Sequence, residues 1–234
     1  MTEPKIRIGG FQPLTTIDLP GELAAVVFCQ GCPWRCGYCQ NAHLAFRSRS
    51  TELEWKEILA FLERRRGLLD GVVFSGGEPT LHDGLAETLS QVRELGFKTG
   101  LHTAGPYPSR LARVLPLLDW VGMDFKAPSD RYEVVTGVPG SGDRALESAR
   151  LIVESGIAHE FRTTVHPGLL RADEVKRMVQ EIASIGVRNF VLQECATERC
   201  LHRNLRYPIE PGYLETLCNE EQTNQFEHFS IRHL

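Results

Sequence analysis

Apolar and polar positions along this chain follow two rhythms, and each change of rhythm marks an element. Leu23-Ala24-Ala25-Val26-Val27-Phe28 is a short continuous apolar run ending in a cysteine, the pattern of a strand buried on both faces. After the loop that follows, Thr51 and Glu54 make a capping-box pattern, and Trp55, Ile58, Leu59 and Leu62 recur at helical spacing up to Gly67. The unit then repeats. Strands are predicted over Val72 to Phe74, Phe97 to Leu101, Trp120 to Phe125, Phe161 to Val165 and Phe190 to Leu192. Helices are predicted over Leu85 to Leu95, Arg110 to Leu117, Ala145 to Glu154 and Asp173 to Ile185. Gly96, Gly156 and Gly186 stand where a helical pattern yields to a strand, which predicts left-handed caps.

Strands alternating with helices predict parallel strands joined by right-handed crossovers, with functional residues gathered at the strands' C-terminal ends. About six strands are too few to close an eight-stranded barrel. The expected fold class is therefore α/β, a partial, open TIM barrel of the (β/α)6 type built from parallel strands, with a doubly wound sheet as the alternative. A single domain is expected over residues 1–234, with its core over about 22–193 and an irregular C-terminal tail from 194 to 234. Pro128 to Asp143, rich in Pro, Gly and Ser, reads as a long surface loop.

Composition narrows the function classes. Hydrophobic residues make up 42%, charged residues 24%, and the net charge is -4, a balance that argues against disorder, fibres and direct binding of nucleic acid. The N-terminal stretch lacks the apolar core of a secretory signal and no apolar run is long enough to span a bilayer, so a cytoplasmic protein without membrane attachment is expected. Of seven cysteines, four crowd into Cys29 to Cys39 while Cys195, Cys200 and Cys218 lie far downstream. In a reducing compartment such a cluster reads as metal ligation or redox chemistry, not as a disulfide framework.

The loop Cys29-Gln30-Gly31-Cys32-Pro33-Trp34-Arg35-Cys36-Gly37-Tyr38-Cys39 allows two parsings. All four cysteines would close a tetrahedral zinc site, although structural zinc sites usually separate their pairs by a longer excursion. Cys32, Cys36 and Cys39 alone give C-x3-C-x2-C, three thiolates that bind three irons of a cubane and leave the fourth iron without a protein ligand. Cys29 then reads as a small buried hydrophobe. This second spacing, with aromatic Tyr38 before the third cysteine, resembles the radical S-adenosylmethionine (radical SAM) superfamily. The resemblance implies a [4Fe-4S] cluster whose open iron chelates the methionine part of S-adenosyl-L-methionine (SAM).

Other residues extend the resemblance. Ser75-Gly76-Gly77-Glu78-Pro79 follows a predicted strand. Alone it is an ordinary turn; in radical SAM enzymes a Gly-Gly-Glu-Pro segment at this place contacts the SAM amino group, which implies Gly76, Gly77 and Glu78. In Met123-Asp124-Phe125-Lys126 the strand alternation puts Asp124 and Lys126 on one face. They read either as a structural ion pair or, by similarity to glycyl-radical activating enzymes, as neighbours of SAM, with Lys126 neutralising its carboxylate. Arg162 likewise resembles a SAM-contacting arginine and otherwise reads as a surface or barrel-filling residue. His102-Thr103-Ala104-Gly105 departs from the Asp-Thr-Asn-Gly of many activating enzymes, which removes a carboxylate that would support a cation. His102 and His166 read as packed or hydrogen-bonded histidines, and Cys195 and Cys200 as loop residues in preference to a second metal site.

The run Gly9-Gly10-Phe11-Gln12-Pro13-Leu14-Thr15-Thr16-Ile17-Asp18-Leu19-Pro20-Gly21, with Gln30-Gly31-Cys32 and Cys39-Gln40-Asn41, is similar to the activating proteins of anaerobic ribonucleoside-triphosphate reductases. That likeness implies one-electron cleavage of SAM to a 5′-deoxyadenosyl radical and hydrogen abstraction from a glycine of the partner reductase. A flavodoxin or ferredoxin is the implied electron donor. The rival expectations are an activating enzyme for a pyruvate formate-lyase-like partner or a small-molecule substrate, and a non-catalytic zinc or iron–sulfur module.

Overall fold

The computed structural model describes residues 4–46 and 53–233. Its eight strands lie in the sheet in chain order: β1 Ile8–Thr15, β2 Ala24–Cys29, β3 Gly71–Gly76, β4 Lys98–Thr103, β5 Trp120–Asp124, β6 Ala158–Val165, β7 Asn189–Glu194 and β8 His228–Arg232. β1 runs antiparallel to β2, while the pairs β2–β3, β3–β4, β6–β7 and β7–β8 are parallel. The sheet is open, as expected for a partial barrel. β2 to β7 are the six predicted strands. β1 escaped prediction because Gly9, Gly10 and Pro13 interrupt its alternation, and β8 because it is a five-residue strand following short irregular turns.

The chain groups into two compact units, one of Met1–Pro33, Asn41–Thr103 and Tyr107–Gly122, the other of Trp34–Gln40, Ala104–Pro106 and Met123–Leu234. In the first, β2 is buried along Ala24, Ala25, Val26 and Val27. Its register with β3, from Ala24 opposite Gly71 to Cys29 opposite Gly76, brings the two C-terminal ends level. The helix at Trp55–Glu63 covers the sheet through Trp55, Ile58 and Leu62, and that at Leu85–Glu94 through Leu85, Leu89 and Val92. Trp55 Nε1 donates to Gln91 Oε1 at 2.7 Å and so ties the two helices. The proposed cap at Thr51 lies outside the described residues; the first of these helices begins at Trp55 without a side-chain cap bond. The predicted helix 110–117 is α-helical over Pro108–Val114 and tightens to a 3-10 turn at Leu115–Leu117, where Pro116 cannot donate to a continuing ladder.

In the second unit, helices over Ser141–Ser155 and Ala172–Ser184 accompany β6 and β7. The segment 128–143 is not a surface loop. It carries a 3-10 turn at Ser129–Arg131, a short helix at Tyr132–Thr136 and the start of the next helix, with Tyr132 and Thr136 fully buried. Its glycines and prolines mark turns around Tyr132 and Val135, two apolar residues at helical spacing that bury together. The tail holds 3-10 turns at Thr197–Arg199, Arg203–Leu205 and Leu214–Thr216, a helical turn at Glu220–Thr223 and β8. Gly96, Gly156 and Gly186 all take positive φ, as the sequence pattern requires.

Candidate active site

In the first unit the site is made of two strand ends laced by backbone bonds. Past β2, Gln30 N donates to Arg7 O (2.9 Å), Gly31 N to Leu44 O (2.7 Å) and Cys32 N to Ala45 O (3.2 Å). Past β3, Gly77 N donates to Cys29 O (2.8 Å) and Glu78 N to Gly31 O (2.9 Å). The Ser75-Gly76-Gly77-Glu78 turn is thus stitched to the residues that lead into Cys32. The approach is too close for a side chain: a Cβ on Gly77 would meet Gly31 O at 2.3 Å, and one on Gly76, which sits at φ 106°, would meet Cys29 O at 2.5 Å.

Glu78 is 1% exposed. Its Oε1 accepts from Thr80 N (3.0 Å), Thr80 Oγ1 (2.6 Å) and Thr103 Oγ1 (2.7 Å). A carboxylate oxygen with three neutral donors is fixed in place, and it holds the turn. Cys29 is wholly buried, and burial, with the nearby Glu78 charge, pushes its thiol far up, so it packs as a small hydrophobe. His102 bonds Asp18 O at 3.0 Å and stacks edge-on against Trp120, the packed role expected of it.

In the second unit the cysteine loop turns tightly, with Cys39 N donating to Cys36 O at 3.0 Å, and is anchored by Arg35 N to Thr136 O (2.8 Å) and His202 N to Gly37 O (2.9 Å). Cys36 and Tyr38 are buried, while Cys39 is half-buried. Past β5, Lys126 Nζ lies 3.7 Å from Asp124 Oδ2 and 5.6 Å from the Tyr38 ring centre. Arg162 Nε, from β6, donates to Asp124 Oδ1 at 3.2 Å. Burial works against the charge on Lys126, but the Asp124 carboxylate outweighs it and holds the ammonium well above the ordinary lysine range. Tyr38 is pushed up by its own burial and stays a phenol. Burial also raises the Cys36 thiol, against the pull of Lys126. Tyr38, Asp124, Lys126 and Arg162 therefore form one network, at the end of which the Asp124 side chain is 44% exposed.

Tyr132 is the member that the sequence reading missed. Its hydroxyl accepts from Lys126 N at 2.9 Å, and its ring packs edge-on against Trp34 and Phe125. The Pro- and Gly-rich surroundings hid it, although its i, i+3 pairing with Val135 was a usable signal. Thr80 and Thr103, the donors to Glu78, were also overlooked, because threonines carry no motif of their own.

Among the described residues no three His, Cys, Asp or Glu side chains stand together as a ready metal site; the chemistry of the residues present nonetheless suits thiolate ligation and a ligand bearing a carboxylate. Cys36 and Cys39 share one tight turn, a buried ammonium is kept charged, and buried Trp34 Nε1 in the same loop has no hydrogen-bond partner, an atom that gains from a nearby acceptor. Fold and site together define an α/β enzyme with its chemistry at the C-terminal ends of parallel strands. The family described as the radical SAM superfamily matches residues 26–182. A protein of Methanocaldococcus jannaschii named as a glycyl-radical enzyme activating enzyme is 28% identical over 187 residues, 76% of each chain. A pyruvate formate-lyase-activating enzyme of Clostridium pasteurianum is 32% identical over 190 residues, 78% of each chain. The crystal structure of Streptococcus suis SuiB bound to precursor peptide SuiA matches with a TM-score of 0.67 at 18% identity, over 87% of this chain and 47% of SuiB, so the chain spans about half of that protein.

The chain belongs to the radical SAM superfamily, within its glycyl-radical activating enzymes. Its cofactors are accordingly a [4Fe-4S] cluster and SAM.

Proposed function

We propose that this chain activates an anaerobic ribonucleoside-triphosphate reductase by placing a radical on a glycine of that partner. In this reading Cys32, Cys36 and Cys39 hold the cluster. Tyr38, Gly76, Gly77, Glu78, Asp124, Lys126 and Arg162 form the SAM site. When bound, the cluster and SAM together supply a one-electron reduction of the sulfonium that yields methionine and a 5′-deoxyadenosyl radical, the species that abstracts the glycine hydrogen. The residues of the chain do the positioning. Lys126, kept charged, neutralises the methionine carboxylate; the backbone at Gly76 and Gly77 receives the amino group; Glu78, clamped by Thr80 and Thr103, keeps that backbone from shifting; and Tyr38 and Tyr132 shield the lysine from water.

The choice of partner is carried by one observation, the Gly9 to Gly21 run with Gln30-Gly31-Cys32 and Cys39-Gln40-Asn41, which is similar to reductase-activating proteins. The single-domain organisation over 1–234, a flavodoxin or ferredoxin donor and a cytoplasmic setting belong to the same proposal. Among the described residues no helix is long and apolar enough to cross a membrane. A second reading, an activase for a pyruvate formate-lyase-like partner, is favoured by the 32% identity to the clostridial enzyme. The test is anaerobic incubation of reconstituted protein, SAM and a reductant with each candidate partner, followed by EPR. A glycyl-radical doublet on the reductase supports the first reading; a doublet only on the formate-lyase replaces it with the second.

A further inference from the structure

Two cysteines that the chemistry above does not use meet in the second unit. Cys195 follows β7, and Cys200 closes the 3-10 turn Thr197–Arg199. Their sulfurs lie 3.6 Å apart and both residues are buried, so the four residues between them are folded to bring two thiols into van der Waals contact. Arg206 faces Cys200 with a positive charge and donates from Nε to its carbonyl at 2.8 Å, which disfavours a metal cation at the pair. The chain just after the pair touches the cysteine loop. His202, two residues after Cys200, donates its backbone N–H to Gly37 O at 2.9 Å, and its ring packs against Gly37, where an added Cβ would meet Nδ1 at 2.9 Å.

We propose that Cys195 and Cys200 are a reversible dithiol–disulfide couple, oxidised by low-molecular-weight disulfides of the glutathione class, and that its redox state is felt by the loop carrying Cys36 and Cys39. One cysteine thiolate attacks the small disulfide, forming a mixed disulfide and releasing one thiol. The second then displaces the other half. The net change is two protein thiols to one S–S bond and one small disulfide to two thiols, with the protein's two protons leaving on the departing thiols. From contact distance the sulfurs need to close to about 2.05 Å. The turn over them exposes Glu198 and Arg199, with side-chain exposures of 70% and 71%, and a single 3-10 turn of this kind opens locally at low cost. Burial and the neighbouring Cys200 push the Cys195 thiol up to about 12, so exchange proceeds through such openings and speeds up as pH rises. Oxidation draws the two sulfurs together and so moves the chain that runs from Cys200 to His202, whose N–H is bound to Gly37 O in the cysteine loop. This last step rests on the reading of Cys39 as a cluster ligand.

The test uses cluster-loaded full-length protein under anaerobic conditions, equilibrated in buffers of increasing oxidised-to-reduced glutathione ratio, quenched in acid, alkylated and digested with trypsin. Cleavage after Arg199 separates the two cysteines, so a disulfide leaves two peptides joined. The joined peptides are expected to accumulate with oxidation and to part on return to reduced glutathione. Both cysteines remaining alkylated, or each carrying its own glutathione, at a ratio that links them in the urea-unfolded chain would overturn the couple. A second readout is iron release to a chelator, expected to differ several-fold between the oxidised and reduced forms and to lose that difference in the Cys195→Ser variant. Equal rates in the wild-type protein would overturn the coupling to the loop. Neither readout uses SAM cleavage, so a chain that links the pair but never cleaves SAM would refute the activase and leave the couple standing.

Discussion

Glu78 and Lys126 are both buried charges at the C-terminal ends of strands, and the two units treat them differently. The Glu78 oxygen is met by three neutral donors from Thr80 and Thr103, an arrangement that stabilises the carboxylate and locks the turn around it. The Lys126 ammonium instead has a half-exposed carboxylate at 3.7 Å and an aromatic face at 5.6 Å. The first is a scaffold, since its Oε1 is taken up by donors that fix the turn around it. The second is a cation held charged near a solvent-facing carboxylate, the arrangement expected where an anionic ligand arrives. Burial of a charged group therefore does not identify a ligand-binding residue; the neighbours that compensate it do.

The two units also differ in their buried thiols, and this is where the largest effect is expected. Cys36→Ala should abolish cluster assembly, read as iron and sulfide content after anaerobic reconstitution. Cys29→Ala, at a wholly buried strand residue, should retain iron and lose only about 1 kcal/mol of stability or less. Equal iron loss in both variants would return Cys29 to the ligand set.

The charges themselves can be exchanged for apolar groups of similar size. Glu78→Leu strands two threonine hydroxyls and a backbone N–H in a buried place, at about 1–3 kcal/mol for each orphaned group, so a large fall in melting temperature is expected. Lys126→Met should cost less stability, because Asp124 keeps Arg162 and solvent, but should weaken SAM binding by roughly 10- to 100-fold, the worth of about 1.5–3 kcal/mol in a hydrogen bond to a charged group. Calorimetry and SAM titration on the two variants decide the matter. If Lys126→Met melts lower than Glu78→Leu and binds SAM normally, the assignment of scaffold and ligand site is reversed.

How much of this was legible in the sequence follows the same division. The strand–helix repeat, the cysteine spacing and the Asp124–Lys126 face could be read because each is a periodic or short-range pattern. The partners that decide what a buried charge does could not. Thr103 reaches Glu78 across 25 residues through the register of the strand ends, and Tyr132 reaches the Lys126 backbone from a segment whose glycines and prolines spell a loop. Cys195 and Cys200, read as loop residues, meet only because a 3-10 turn folds between them. Such contacts depend on how elements are placed in space, which spacing along the chain does not encode.

A change of pH sharpens the account of Lys126. Its folded-state value lies above the ordinary lysine value of 10.5, so whatever its charge contributes is complete below that ordinary value and is lost only as pH climbs through the raised one. Between about pH 6 and pH 9 the ratio of SAM affinities of the wild-type and Lys126→Arg proteins should therefore stay constant, because both side chains remain cations while the titration of SAM itself cancels. A ratio that drifts with pH over this range would mean that the lysine sheds its proton, and that burial outweighs Asp124.

The smallest expected effect tests the clamp on Glu78 from its far side. Thr103→Val keeps the volume of the side chain and removes the hydroxyl that donates to Glu78 Oε1 at 2.7 Å. Thr80 continues to supply two donors to the same oxygen, so the carboxylate is not orphaned. The loss should be one charge-assisted hydrogen bond, about 1.5–3 kcal/mol before the remaining donors tighten, and nearer the lower figure after. If Glu78 acts on the ligand only by fixing the Gly76–Gly77 backbone, SAM affinity should fall by no more than a few-fold, and Thr103→Ser should restore both stability and binding. A loss of binding as large as that of Lys126→Met, with stability intact, would place Glu78 among the groups that meet the ligand and erase the contrast between the two charges.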